Sequence, residues 1–296
     1  MTGSALVVEV KRNSLDDGPG IRSVVFFKGC PLRCVWCQNP EALRPAPELQ
    51  VLAGRCVGCG GCVAACPGRV AVSGEPAARC TACGRCVEPC RAGARRLVGT
   101  AYDIDDLAAL LLRDEPFYRA SGGGVTLSGG EPTMASAVAG LLAARLVERG
   151  VHVLLETCGC FAWEPFARDL LPHVSTIYFD LKIADTARHH EHTGRDNELI
   201  LRNLRRLAGP EIAPRLLPRV PLVPGITDGE ESLAAIAGLL LELRLPRVAL
   251  LPYNPLWLPK RRALGLDLPY SHDGWMTTEQ VERCRDVFRR AGLEVK

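Results

Sequence analysis

Several absences narrow what this 296-residue chain can be. It lacks charge of one sign: 36 Lys and Arg against 33 Asp and Glu leave a net +3, too little for a dedicated nucleic-acid binder. It lacks a long apolar run. The longest, from Leu233 to Leu241, falls far short of the roughly 20 residues that span a bilayer, so no membrane partner is expected. The first residues, Met1 to Val10, have no basic start followed by a long apolar core, so no secretory signal is expected. Disorder is excluded by 47% hydrophobic residues, 23% charged residues and a mean hydropathy of +0.07. Cysteine is scarce beyond Cys90, where only Cys158, Cys160 and Cys284 occur, yet the chain holds 14. A disulfide scaffold spreads its cysteines through a small secreted domain. Crowding between Cys30 and Cys90 points instead to a metal-loaded segment in a cytoplasmic chain.

Outside that segment, apolar runs alternate with helical patterns. Val24–Lys28, Val125–Leu127, Val151–Leu155, Thr176–Leu181, Leu216–Leu222 and Val248–Leu251 read as strands. Ile104–Arg113, with Asp103 as its cap, Met134–Arg149, Glu164–Leu171, Asn197–Leu207, Glu230–Leu243 and Thr278–Ala291 read as helices. Such alternation predicts a parallel sheet covered by helices, with function at the C-terminal strand ends. The units are too few for an eight-fold barrel, leaving an open partial barrel or a doubly wound sheet. Residues 41–98 differ. They are rich in Gly, Pro, Ala and Cys, show no lasting apolar period, and cannot build an ordinary core.

Within them, Cys56, Cys59, Cys62 and Cys66 run as C-x2-C-x2-C-x3-C before Pro67, and Cys80, Cys83, Cys86 and Cys90 repeat the spacing without the Pro. This resembles the bacterial two-cluster ferredoxin pattern, in which the fourth Cys of each run ligates the other cluster. The resemblance implies one [4Fe–4S] cluster on Cys56, Cys59, Cys62 and Cys90, and a second on Cys80, Cys83, Cys86 and Cys66. Structural zinc is the competing reading of paired C-x2-C units, but the doubled three-gap spacing favours iron. The eight Arg and four Glu of residues 41–98 offset the negative charge that two such clusters would bring.

A third group, Cys30, Cys34 and Cys37, follows the first predicted strand. Three thiolates cannot complete a four-iron cube and leave one iron open for a small molecule, much as catalytic zinc keeps a free position. A structural zinc knuckle is the plainer alternative. The stretch Gly29-Cys30-Pro31-Leu32-Arg33-Cys34-Val35-Trp36-Cys37-Gln38-Asn39-Pro40 resembles the cluster loop of radical S-adenosylmethionine (SAM) enzymes. Preceded by Asp17-Gly18-Pro19-Gly20-Ile21-Arg22, it is similar to one branch in particular, the activating enzymes of glycyl radical enzymes.

The resemblance implies a partial (β/α)6 barrel formed by residues 1–40 and 99–296, with residues 41–98 as a ferredoxin-like insert. It implies three [4Fe–4S] clusters in all. It places SAM against Trp36, the Gly129-Gly130-Glu131 turn, Glu156, Asp180, Lys182 and Asn254. In the family, the glycine turn and its carboxylate meet the methionine amino group, the Asp-Leu-Lys stretch supplies a lysine for the SAM carboxylate, and a monovalent cation sits near the acidic residues, here Glu156, Thr157 and Asp180. Asn254 is a departure, since the family commonly has a His there, and the Pro-, Leu- and Trp-rich stretch to Trp275 shares that uncertainty about the substrate side. Asp17, Gly18, Gly20 and Arg22 lie where the partner's glycine loop enters. Cys158, Cys160 and Cys284 read as packing residues, and the histidines at 189, 190 and 192 do not share one helix face.

The implied activity is reductive cleavage of SAM to a 5′-deoxyadenosyl radical that takes a Cα hydrogen from a glycine of a partner glycyl radical enzyme. No side-chain general base is required, and flavodoxin or ferredoxin is the expected electron donor. Two rivals remain at this stage. One is the same scaffold acting on a small molecule or peptide. The other is a ferredoxin fused to an inert α/β domain.

Overall fold

A computed structural model describes residues 3–69 and 79–296. Its strands are β1 (Ser4–Ser14), β2 (Arg22–Phe27), β3 (Glu48–Val51), β4 (Arg95–Val98), β5 (Thr100–Asp103), β6 (Gly124–Gly129), β7 (His152–Thr157), β8 (Thr176–Asp180), β9 (Leu216–Leu222), β10 (Arg247–Pro252) and β11 (Glu294–Val295). Nine of them form one sheet in the order β11-β10-β9-β8-β7-β6-β2-β1-β5. From β2 to β11 every neighbouring pair in that sheet is parallel, and β1 pairs antiparallel with both β2 and β5.

The six strands expected from the sequence are the central ones, in sequence order across the sheet. β7 is apolar without alternation, Val153, Leu154 and Leu155 all being fully buried, as in a sheet covered on both faces, whereas β8 and β10 alternate buried with half-buried residues. The edge strands were not foreseen. β1 carries a period-two signal only at its start, where Ala5 and Val7 are buried while Ser4 is exposed and Leu6 half-buried; a register shift between Val7 and Glu9 ends it. Its polar second half hides that signal.

Asp103 caps the helix Ile104–Leu112 as expected, accepting from the backbone N–H groups of Asp105 and Asp106. The predicted helix 164–171 is instead broken into Trp163–Pro165, a wide turn over Phe166–Leu170 and a tight turn over Leu171–His173. Pro165 and Pro172 deny the backbone donors a regular helix needs. The helices Glu115–Ser121, Thr186–Thr193 and Trp257–Ala263 were not predicted. Among the described residues, no helix is long and apolar enough to cross a membrane.

The cysteine-rich segment leaves the main sheet. β3 and β4 pair antiparallel as a separate ribbon, Glu48 opposite Val98 and Val51 opposite Arg95. Beside it lies a small cluster of Leu49, Val51 and Cys86 with half-buried Cys62 and Val87. Lys28, one residue past β2, ties the ribbon to the main sheet. Its fully buried ammonium donates to Glu48 Oε2 at 2.7 Å and to the Glu41 carbonyl at 2.7 Å.

Candidate active site

The C-terminal ends of β2 and β6–β10 surround a cavity of about 390 Å3, within the usual range for small-molecule sites. Its position follows from the parallel register, which sets Phe27 opposite Gly129. Beyond β2, Gly29 donates to the Ala42 carbonyl at 2.7 Å and accepts from the Glu131 N–H at 2.7 Å. A Cβ on Gly130 would stand 2.1 Å from the Gly29 carbonyl oxygen, so only glycine permits the cysteine loop and the turn after β6 to touch. The loop's far side rests on the end of the helix Thr186–Thr193: Arg33 N–H donates to the Thr193 carbonyl (2.7 Å) and Val35 N–H to the His192 carbonyl (3.0 Å). Two of the adjacent histidines are accounted for by this packing. His189 is buried, its Nδ1 facing the Arg195 carbonyl (2.7 Å) and Thr193 Oγ1 (3.0 Å), while His192 lends its carbonyl to the loop.

Cys30, Cys34 and Cys37 all line this cavity, as do Trp36, Gly129, Gly130, Glu156, Asp180, Lys182 and Asn254. Burial pushes the Cys34 thiol up to about 11 and Cys37 higher still. Without metal these thiols stay protonated, whereas a bound metal deprotonates them outright. Lys182 stands as a cation beside them. Burial would lower its ammonium, but the Asp180 carboxylate, 3.4 Å away, together with the sulfurs of Cys34, Cys158 and Cys30 outweighs that and holds it above its usual value. Among the described residues, no three His, Cys, Asp or Glu side chains converge on one point, as a single ion requires. Cys30, Cys34 and Cys37 line one shared cavity, which fits a cluster held by three sulfurs.

Several site assignments change. Glu131 does not face the cavity. It is 1% exposed and is filled by the chain's own donors: Thr133 N–H (3.2 Å), Thr133 Oγ1 (2.6 Å), Thr157 Oγ1 (2.9 Å) and Cys158 N–H (2.7 Å). The carboxylate lies outside the cavity lining, and only the backbone of the glycine turn reaches the cavity. Arg22, expected to hold a partner peptide, is fully buried. Its guanidinium donates to Thr126 Oγ1 (2.7 Å) and to the carbonyls of Val125 (2.7 Å) and Pro19 (3.2 Å), and burial lowers it to about 10. Gly18 (φ +125°) and Gly20 (φ +70°) serve the same internal packing. A Cβ would lie 2.7 Å from the Leu154 side chain at the first and 2.5 Å from the Gly123 backbone at the second. Of the expected entry residues, only Asp17 lines the cavity, joined by the exposed Asp16.

Glu156 and Asp180, expected near a monovalent cation, face cations of the protein itself. Arg219 on β9 donates to Glu156 Oε1 (2.5 Å) and Asp180 Oδ1 (2.8 Å), and its charged plane lies 5.0 Å from the Tyr178 ring. Ser128 Oγ donates to the second Glu156 oxygen at 2.6 Å, and the Thr157 hydroxyl is spent on Glu131. Burial would raise Asp180, but Arg219 and Lys182 together hold it below the usual carboxylate range. Arg219 carries no local signal of this role, since its partners lie on two other strands.

Cys158 was missed as well. It is buried as foreseen, but it lies beside Cys30 and lines the cavity. Its place just past β7, at a C-terminal strand end, was the available clue. Asn254 Oδ1 is taken by the Leu256 N–H at 3.2 Å, and its carbonyl accepts from Gln38 Nε2 at 3.2 Å. The stretch after it is pinned at its start, where the Tyr253 hydroxyl donates to the His272 carbonyl (2.6 Å) and Lys260 reaches back to the Gln38 carbonyl (3.0 Å) and to Glu41 (2.9 Å), while Leu256 and Trp275 are exposed.

The other eight cysteines of the N-terminal third surround two further cavities. Cys56, Cys59, Cys62 and Cys90 line one of about 70 Å3; Cys66, Cys80, Cys83 and Cys86 line one of about 260 Å3. The last cysteine of each run thus stands with the first three of the other.

This is the anatomy of an enzyme that holds an iron–sulfur cluster and a small ligand at the open end of a parallel sheet. Residues 24–236 match the Radical SAM superfamily. The isethionate sulfite-lyase activating enzyme of Nitratidesulfovibrio vulgaris is 37% identical over 276 residues, covering 90% of this chain and 89% of that protein. The choline trimethylamine-lyase activating enzyme of Oleidesulfovibrio alaskensis is 36% identical over 303 residues, covering 98% and 97%. The crystal structure of QueE from Escherichia coli shares the fold, with a TM-score of 0.52 at 13% identity over 99% of this chain and 92% of that one. The chain belongs to the radical SAM superfamily, among the activating enzymes of glycyl radical enzymes.

Proposed function

We propose that this chain generates the glycyl radical of a partner enzyme, using a [4Fe–4S] cluster on Cys30, Cys34 and Cys37 with SAM beside it. The observation that carries the site is the single cavity where the three cysteines, Lys182 and the Gly129-Gly130 backbone face one another. Cluster and SAM, when bound, supply the one-electron cleavage that yields methionine and the 5′-deoxyadenosyl radical, the species that takes the glycine hydrogen. The chain's own residues bind, orient and shield. Lys182 offers its ammonium to the methionine carboxylate. The bare backbone at Gly129 and Gly130 lets the methionine amino group approach closely. Trp36, 4% exposed, gives the wall an apolar surface that excludes water. Asp16 and Asp17 present acceptors to the backbone N–H groups of an incoming loop. A monovalent cation at Glu156, Thr157 and Asp180 would share oxygens that already hold Arg219, Lys182 and Ser128, using their second lone pairs.

The six central parallel strands support a partial barrel formed by residues 1–40 and 99–296. The separate ribbon and the two cysteine-lined cavities support a ferredoxin-like insert at 41–98 with two more [4Fe–4S] clusters. Cys56, Cys59, Cys80 and Cys83 are exposed, which suits electron entry from flavodoxin or ferredoxin in a reducing, anaerobic cytoplasm.

The test is anaerobic incubation of the iron-loaded chain with SAM, dithionite and a glycine-loop peptide or its parent enzyme. A doublet in electron paramagnetic resonance is expected, from the one α-hydrogen left on the glycine. Deuterating that glycine should move deuterium into 5′-deoxyadenosine, and Cys34→Ala should abolish both signals. Deuterium arriving from a small metabolite, with no protein radical, would overturn the reading.

A further inference from the structure

The two insert cavities share one polar side chain. Arg95 opens β4, where its backbone pairs with Val51, and its side chain is 5% exposed. It lines the cavity of Cys56, Cys59, Cys62 and Cys90, and also that of Cys66, Cys80, Cys83 and Cys86. Its guanidinium stands beside the sulfur of Cys62 on the first side and that of Cys86 on the second. A buried guanidinium needs anions to face. Neutral thiols are weak acceptors; iron-bound thiolates are strong ones. The fork shape matters too. One guanidinium can donate in two directions at once, which a lysine ammonium on a flexible stem does less well.

We propose that Arg95 is a shared electrostatic clamp between the two insert clusters, donating to a cysteine sulfur of each and raising both reduction potentials. The proposal rests on the reading that the insert holds two clusters. Each cluster with four thiolates carries about −2 when oxidised and −3 after taking one electron from a low-potential one-electron donor. Hydrogen bonds to the sulfurs and nearby positive charge favour the more negative form, so both potentials rise. One cation facing both clusters lowers the charge cost of reducing either, so the shift applies to both potentials. Arg95 is a positioning residue here: it touches cluster ligands and no substrate.

The experiment uses the full chain, anaerobically loaded, as wild type, Arg95→Met and Arg95→Lys. Iron is counted first, and the clusters are then titrated with dithionite under electron paramagnetic resonance. Wild type should carry about 12 iron, eight of them in the insert. A wild-type count near four would mean that the insert holds no clusters, a failure of the underlying reading visible before any potential is measured. With iron retained, Arg95→Met should lower the reduced-to-oxidised ratio of the insert clusters by about tenfold at a fixed solution potential, which is 59 mV for a one-electron couple. Arg95→Lys should fall between, and the cluster on Cys30, Cys34 and Cys37 should keep its titration. Unchanged insert potentials in a fully loaded Arg95→Met protein would overturn the proposal. Loss of the insert iron in both variants would also overturn it, assigning Arg95 to holding the fold rather than tuning the clusters.

Discussion

Glu131 shows how a residue's neighbours decide its work. Its carboxylate is filled by two hydroxyls and two backbone N–H groups from the turn after β6 and from the end of β7. Glu131→Gln replaces one oxygen by an amide that cannot accept, so one buried donor loses its partner. Hydrogen bonds to charged groups are worth roughly 1.5–3 kcal/mol each, so chemical denaturation without SAM should show a loss of about 2 kcal/mol. An unchanged midpoint would return Glu131 to the cavity as a ligand-facing carboxylate. Arg22 and Arg219 make the same point. Both were visible as residues, but the Thr126 and Val125 oxygens that hold one, and the Glu156 and Asp180 carboxylates that hold the other, come from distant parts of the chain.

At the scale of elements, the joint between barrel and cysteine-rich segment is the vulnerable place. The Lys28 ammonium is completely buried, and Glu48 is its charged partner across the joint. Glu48→Ala leaves that cation buried and unpaired, a loss that typically costs about 3–5 kcal/mol. We expect a fall of that order in stability, together with faster proteolytic nicking within residues 41–98. Equal nicking rates for variant and wild type would show that the ribbon holds without the ion pair. The central strands were legible because a buried parallel strand is a short apolar run with turn residues at each end. β1 was not: half of it is polar, and its pairing with β2 and β5 depends on partners up to a hundred positions away.

Across the whole molecule, two histidines, His189 buried and His152 half-buried, set an acid limit. Burial lowers His152, which also faces the Arg22 guanidinium at 3.2 Å, and burial likewise lowers His189. Their folded-state values lie below the ordinary 6.5. Between those values and 6.5 the unfolded chain binds more protons than the folded one, so stability falls as pH drops from 7 toward 5. Asp180 and Asp114, held low by their arginines, add their losses only below about pH 4. Denaturation midpoints measured from pH 7 to 5 should therefore slope downward, and His152→Gln should flatten the slope. A slope unaffected by that change would remove His152 from the account.

The sequence alone determined the order and type of the central strands, the family to which the chain belongs, and which cysteines gather around which cavity. The strands are written in short apolar runs between turn residues, and the family and the grouping of the cysteines in motifs whose resemblance to known ones carries them. Tertiary structure decided what the long polar side chains do. Glu131 turned inward, Arg22 went under the sheet, Arg219 bridged two carboxylates, Cys158 came to lie against Cys30, and Arg95 settled between two cavities. A charged group moves to wherever its desolvation is best repaid. That place is fixed by the strand lying alongside, which no local pattern records.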